Sequence, residues 1–429
     1  MSSATRTDRV RAARLDPHSA TFTLLLGALV TLASFATDMG LPVLAETARS
    51  LGVKPGAAAL TLSVFLAGFA IGPLVFGPLS DHFGRRPVLL TGCGMFACFG
   101  ALGAFSQSLH ALLLWRTLMG IGAGGCQVLV LAIVRDLFTG TEARVKQSYV
   151  NLAGGVAPII APTLGIAIAT FGGWRAIYAA LAIGATVLLI IASLGLVESV
   201  TRGAPGALTV RGVVDNYARV VRHPVAFGYV LVIALNFGSL FAYVSGSSLV
   251  LIGLLGVSRR TYGILFAATS LGLMAGALTS ATLSARGVSH GRLIRWGLAA
   301  IVTSALALLA LTLAGWLRVP TLVGLVIVGF VGQGIVRPNA AQGALEPMSS
   351  VAGVASAVLS GTQMLAGALA SALVAALFDG RSAIAVTGIM ALSASASALV
   401  YARVVRPAEG RAREGVRARA LTPGSDPGL

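Results

Sequence analysis

Charge is what this sequence has least of. Only 10% of its 429 residues are Asp, Glu, Lys or Arg, against 56% hydrophobic residues and a mean hydropathy of +0.89. An ordinary soluble domain carries about 25% charged residues, so a water-soluble fold of this length would lack the polar surface to cover its core. Acidic residues number 14, and Lys54 and Lys146 are the only lysines among 31 basic side chains. The three cysteines, Cys93, Cys98 and Cys126, fall inside apolar stretches without metal-ligand spacing. That pattern excludes a disulfide framework and reads as small buried hydrophobes. No Gly-x-x-x-x-Gly-Lys-Ser/Thr loop occurs, so ATP is not expected as an energy source. A membrane-bound enzyme would need a polar cluster at mid-membrane, yet His18, His82, His110, His223 and His290 all fall in tails or loops. The chain therefore reads as no enzyme, with no cofactor and no metal.

Long apolar runs are what it has instead. The 53 glycines show no Gly-X-Y period, which excludes collagen. About twelve runs match the 20–25 residues a bilayer requires: 21–45, 57–79, 87–106, 111–136, 147–170, 175–197, 225–253, 261–283, 293–316, 319–344, 353–378 and 383–404. The first run is too long for a secretory signal and shows no cleavage site. The expected fold is all-α and polytopic, twelve transmembrane helices as two six-helix halves. The boundaries read as an N-terminal tail at 1–19, a first half at 20–197, a linker at 198–224, a second half at 225–404, and a C-terminal tail at 405–429 expected to be disordered. Within the linker, Val210–Val221 reads as a short amphipathic helix at the membrane surface. The halves begin about 204 residues apart, and at that offset Gly77–Arg86 faces Ala281–Gly287, a weak match placed where a parallel repeat of transporter halves belongs.

A net charge of +17 would point a soluble protein toward nucleic acid. Here about 22 of the 31 basic residues fall in alternate connections, at Arg85–Arg86, Arg135–Lys146, Arg202–Arg222, Arg286–Arg295 and the two tails. This bias makes both termini cytoplasmic, and the charges can meet anionic lipid heads. Membrane lipid, not nucleic acid, is the expected partner. The arginine, alanine and glycine richness fits a GC-rich bacterium, hence a bacterial inner membrane.

Asp38 is the most informative residue. It lies about 25 Å into the first span at 1.5 Å per residue, and a carboxylate there must face a wet cavity, pair, or take a proton. Arg116, in the fourth span, reads at a similar depth and is the matching cation, able to pair or exchange partners with Asp38. A carboxylate that alternates between dry and wet surroundings can bind and release one proton per cycle. The stretch Gly77-Pro78-Leu79-Ser80-Asp81-His82-Phe83-Gly84-Arg85-Arg86 reads as a tight turn permitted by its glycines, with Asp81 and Asp136 as acceptors for the two arginines. Pro158 and Pro162 share one face of the fifth span, and with Gly154, Gly155 and Gly165 let it press on a neighbour. Asn236, Phe241, Tyr243, Gln333 and Gln363 are polar or aromatic tips inside spans, candidates to line a cavity.

These motifs carry a resemblance. The turn is similar to the signature loop of the major facilitator superfamily, with His82 where that family usually has Arg. Arg116-Thr-Leu-Met119-Gly120-Ile-Gly122 resembles its fourth-span signature. Finer features resemble drug:proton antiporters of the bicyclomycin/chloramphenicol-resistance type: Thr37-Asp38-Met39-Gly40-Leu41-Pro42, Ala157-Pro158-Ile-Ile-Ala161-Pro162-Thr-Leu-Gly165, Gly173-Trp174-Arg175, Phe241 to Ser248, Arg337-Pro338-Asn339 and Ala352-Gly353 to Ala357. The resemblance covers about residues 20–400. It implies proton-driven export of small amphiphilic drugs or antibiotics by alternating access, with Asp38 as proton site and multidrug resistance as the phenotype. A second acid known in some relatives is absent here, Val30 taking its place. The alternative is a proton-coupled symporter importing a small metabolite on the same fold. Monomeric behaviour is expected.

Overall fold

In the computed structural model the described residues are 15–199 and 210–411. The basic residues of 1–14, the linker stretch 200–209 and the far tail 412–429 lie outside them. Thirteen α-helices make up the described chain: α1 Ala20–Asp38, α2 Leu44–Ser50, α3 Pro55–Phe83, α4 Arg85–Ala104, α5 Leu109–Leu137, α6 Gly140–Gly195, α7 Val210–Arg222, α8 Pro224–Ser248, α9 Arg259–Ala285, α10 His290–Leu313, α11 Val319–Leu345, α12 Ala352–Leu377 and α13 Ile384–Val400. No strand occurs among the described residues.

Local chemistry sets the helix starts. Ser19, Ser108 and Ser258 lie just outside α1, α5 and α9, and each hydroxyl accepts an otherwise unpaired amide three residues on. Pro55 and Pro224 open α3 and α8, where a missing N–H costs nothing. Eleven helical stretches are long and apolar enough to cross a bilayer. One of them, α6 with 56 residues, leaves helical geometry at Gly172 and Gly173 and so folds back as two. Twelve spanning segments result among the described residues.

Each set of six has its own buried core, one around Phe22, Phe65, Phe96 and Trp174, the other around Tyr229, Phe266, Phe330 and Ile294. The second core also takes in Leu41, Leu44, Ala58 and Leu62 from the first set, so the two fuse at one end. There α3 runs along α12, and α6 along α9. A Cβ on Gly56 would sit 2.6 Å from the Ala375 carbonyl oxygen. Ser63 Oγ donates to Ser371 Oγ at 2.9 Å, and Arg259 pairs with Glu46 at 2.9 Å. These two polar contacts between the sets lie toward this end. In α7, Val220 is buried in the second core while Arg219 and Arg222 are exposed.

Four details depart from the sequence reading. The first apolar run, read as ending near 45, goes on through a 3-10 turn at Leu41–Val43 and α2 to Ser50. Glu46 and Arg49 look like loop residues, but Glu46 is held by Arg259 and the Trp174 amide. The second helix, read as ending at 79, continues to Phe83 and absorbs Gly77 and Pro78. The tail read as disordered from 405 stays helical to Arg411, where Glu409 accepts a hydrogen bond from Tyr229 Oη at 2.5 Å. Cys98 is exposed, on the outside of the bundle, unlike buried Cys93 and Cys126.

Candidate functional site

Asp38 is the last residue of α1, at the point where the helix tightens into the 3-10 turn. It is 5% exposed, the only buried carboxylate among the described residues. No cation lies within 4.0 Å of it among the described residues. The carbonyl of Met39, its neighbour, lies where a Cβ on Gly165 would be. The α6 segment that carries Pro158 and Pro162 is thereby seated on the backbone beside Asp38, and only a glycine permits that approach. Gly154 is at ordinary contact distance from Val30, and Gly155 touches nothing. From the second set of helices, Tyr262 is within electrostatic reach of Asp38.

Arg116 does not pair with Asp38: no ion pair within 4.0 Å joins them among the described residues, although Arg116 lines one recess with Thr37 and Gly40 on either side of Asp38. Arg116, 3% exposed, is satisfied elsewhere. Its Nε donates to the Thr61 carbonyl at 3.1 Å, and its guanidinium lies over the rings of Phe65 and Tyr178 at 4.4 and 5.7 Å. A narrow recess with about 20 Å³ of cavity, lined by Thr37, Gly40, Thr61, Arg116, Trp174 and Tyr178 among others, lies beside Arg116 and reaches Thr37, the residue before Asp38.

The turn between α3 and α4 brings its charges together. Arg85 donates from Nε to Asp136 Oδ2 at 2.9 Å, and from its terminal nitrogen to Asp81 Oδ1 at 2.5 Å and Ser80 Oγ at 2.6 Å. Arg86 stands apart from these carboxylates, donating to the Ser193 carbonyl at 2.5 Å. Of the expected turn glycines, only Gly84 turns the chain, with φ +96°; Gly77 is helical and nothing approaches it. Glu198 was missed by sequence reasoning. Its carboxylate accepts the first two amides of α4, from Arg85 at 2.8 Å and Arg86 at 3.2 Å, and so caps a helix N-terminus that has no capping side chain of its own. Because its partner is more than 110 residues away, no local pattern could have shown it. His82 is exposed, its ring edge-on to Phe83.

Of the cavity candidates, Asn236, Gln333 and Gln363 line one narrow recess between α8, α9, α11 and α12, with about 20 Å³ of cavity. Arg337 joins them there; the sequence reading had quoted it only within a tripeptide. Phe241 packs against Phe237 of the recess wall, the rings tilted by 40° with centroids 4.5 Å apart. Tyr243 lies apart, between Phe266 and Phe330 and beside an apolar pocket that includes Leu322 and Val326. The glycines of α5 are packing positions: Gly120 and Gly124 face the α3 backbone, and Gly122 faces α4.

Against known proteins, the sequence pattern of the Major Facilitator Superfamily matches residues 24–371. An uncharacterized MFS-type transporter, YdgK of Bacillus subtilis, is 32% identical over 82% of this chain and 87% of its own length. Multidrug resistance protein D of Escherichia coli is 28% identical over 81% and 87%. A chloramphenicol resistance protein of Pseudomonas aeruginosa is 31% identical over 78% and 79%. Among solved structures, a mutant of the peptide transporter POT superposes with TM-score 0.72 at 14% identity, covering 95% of this chain and 99% of that one. The xylose transporter XylE from E. coli, in a partially occluded inward-open conformation, gives 0.65 at 17%, covering 89% and 96%. At these identities the structural likenesses speak for the fold alone.

Proposed function

The chain belongs to the Major Facilitator Superfamily, a family of transporters, and on that premise we propose that it exports small amphiphilic drugs or antibiotics from a bacterium in exchange for protons. Relatives named for multidrug and chloramphenicol resistance support the drug class. One observation carries the coupling: the only buried carboxylate among the described residues, Asp38, ends α1 at a helix break with no cation within 4.0 Å.

The mechanism follows from where Asp38 stands. The halves, bounded at 20–197 and 225–404, rock about the α3–α12 and α6–α9 contacts. The end sealed by Glu46–Arg259 and Ser63–Ser371 is the outer one in this reading, because the basic turns and both termini are cytoplasmic by the positive-inside bias. Parting that seal wets the α1 break, and closing it dries the break again. A carboxylate's hold on its proton answers to that change. Met39 and Gly165 couple the break to α6, so a tilt of the proline-bearing helix is felt one residue from the proton site. Arg116 acts as a positioning residue, tying α5 to the α3 backbone at Thr61. With one proton carried per cycle, export of a neutral compound moves net charge. The monomer in the inner membrane is the working unit.

Asp38→Asn keeps the shape and removes the titration. In everted vesicles it is expected to abolish proton-driven drug transport while the protein still inserts. Undiminished drug resistance in that variant would refute the assignment.

A further inference from the structure

We propose that Arg337, with Asn236, Gln333 and Gln363, forms a second subsite that takes the carboxylate of an acidic amphiphile. This rests on the exporter reading and names a substrate class for it.

Arg337 sits 18 residues from Val319 and eight from Leu345, well inside α11. A fixed charge at that depth is costly unless water or a partner meets it. Its side chain is exposed while its neighbours Val336, Asn339 and Ala340 are buried, and it lines the recess between α8, α9, α11 and α12. No carboxylate lies within 4.0 Å of it among the described residues. Arg116 is the instructive contrast, since a backbone carbonyl and two rings already occupy it.

The surroundings are built for an acceptor. Gln333 is one turn before Arg337 on the same helix face. Gln333, Gln363 and Asn236 are all more than nine-tenths buried, and neither amide atom of Asn236 has a hydrogen-bond partner. Asn339, by contrast, is spoken for by Ser280 Oγ and the Ile335 carbonyl, both at 2.7 Å. Buried polar groups in native proteins are nearly always satisfied, so an orphaned amide beside an unpaired guanidinium marks a place filled by something else. Ile233, Phe237, Leu240 and Leu273 complete the wall, an apolar surface to match a ligand's apolar body. A fixed cation, three amides and an apolar wall, with no acid, suit an organic carboxylate.

The test uses N-dansyl-leucine and its methyl ester, nearly equal in shape and differing by one charge, titrated by dansyl emission into the purified full-length protein in detergent at neutral pH. The acid is expected to bind the parent about tenfold more tightly than the ester. Arg337→Gln should erase that gap by weakening the acid while leaving the ester within about twofold; Arg337→Lys should restore part of it. Unchanged ester binding certifies the fold of each variant. Equal binding of acid and ester by the parent, acid binding indifferent to Arg337→Gln, or a joint loss of both ligands would each overturn the subsite. Asp38→Asn should preserve the acid–ester gap. A missing gap beside Asp38-dependent export therefore sinks the subsite alone, and an intact gap in a parent that shows no proton-driven drug transport in everted vesicles sinks the exporter reading alone.

Discussion

The turn between α3 and α4 and the turn between α9 and α10 hold matching places in the two halves, and they differ in everything but their glycine. Gly84 has φ +96° and Gly287 has φ +81°, a left-handed backbone that glycine adopts at no steric cost. Around Gly84, Arg85 bridges Asp81 and Asp136 while Glu198 caps α4. Around Gly287 the chain closes on itself, Gly287 N donating to the Ser284 carbonyl at 3.0 Å and Val288 N to that of Leu283 at 3.1 Å. Arg286 there is exposed and makes no ion pair among the described residues. Making the turn thus needs only a glycine and backbone hydrogen bonds. The carboxylates gathered at the first turn are an addition, and they belong to what that half does beyond folding.

The most forceful way to break this comparison is to remove the added charge. Arg85→Ala leaves Asp81 and Asp136 facing each other without their shared cation. A fully buried pair broken in this way loses about 3–5 kcal/mol. Because Asp81 and Asp136 are 48% and 25% exposed, water screens the remainder and about 2 kcal/mol is the expected loss. Export should fall with it, whereas Arg286→Ala should change neither quantity. Thermal melting in detergent and vesicle transport, run on both variants, decide the matter. Equal effects at the two arginines would mean that the charges serve the fold after all.

A finer cut separates backbone from charge. Gly287→Ala meets only the left-handed φ, since nothing lies within 4 Å of its new Cβ, and should cost about 1 kcal/mol. Gly84→Ala meets a backbone of φ +96° and ψ 153° that is essentially glycine's alone, and also drives its Cβ to 2.6 Å from Glu198 Oε2, unseating the cap, so about 2 kcal/mol is expected. Melting temperatures of the pair give the difference directly. If both fall alike, Glu198 yields without loss and its capping role is slight.

Much of this was legible beforehand because lipid permits so little else. Apolar runs of bilayer length have to be helices, and a local motif such as Asp81–Arg85 is readable because its partners lie one turn apart. What escaped was whatever depended on a distant segment. Glu46 falls just past the first apolar run as read from sequence, and only the fold brings Arg259 and the Trp174 amide onto it. Arg116 seemed to need an acid because an isolated cation usually does; a carbonyl and two rings serve it instead. Glu198 could not be matched to Gly84 by any spacing rule. Arg337 stands in the sequence only as part of Arg337-Pro338-Asn339, because the orphaned amide that gives it meaning comes from α8 and only the fold supplies it.

The smallest expected effect tests whether the first turn is complete as it stands. His82 occupies the position where the family pattern usually has arginine, and His82→Arg would restore that pattern. Its side chain is exposed, edge-on to Phe83 with ring centroids 4.7 Å apart, and the ion pairs of Asp81 and Asp136 among the described residues are with Arg85. The new cation would therefore meet water rather than Asp81, while Arg85 already holds both carboxylates. Stability should move by less than about 0.5 kcal/mol, and vesicle export by less than about twofold. A larger gain in export would show that position 82 meets a partner in a conformation other than the one sealed at Glu46–Arg259. The contrast between the two turns would then belong to that conformation alone.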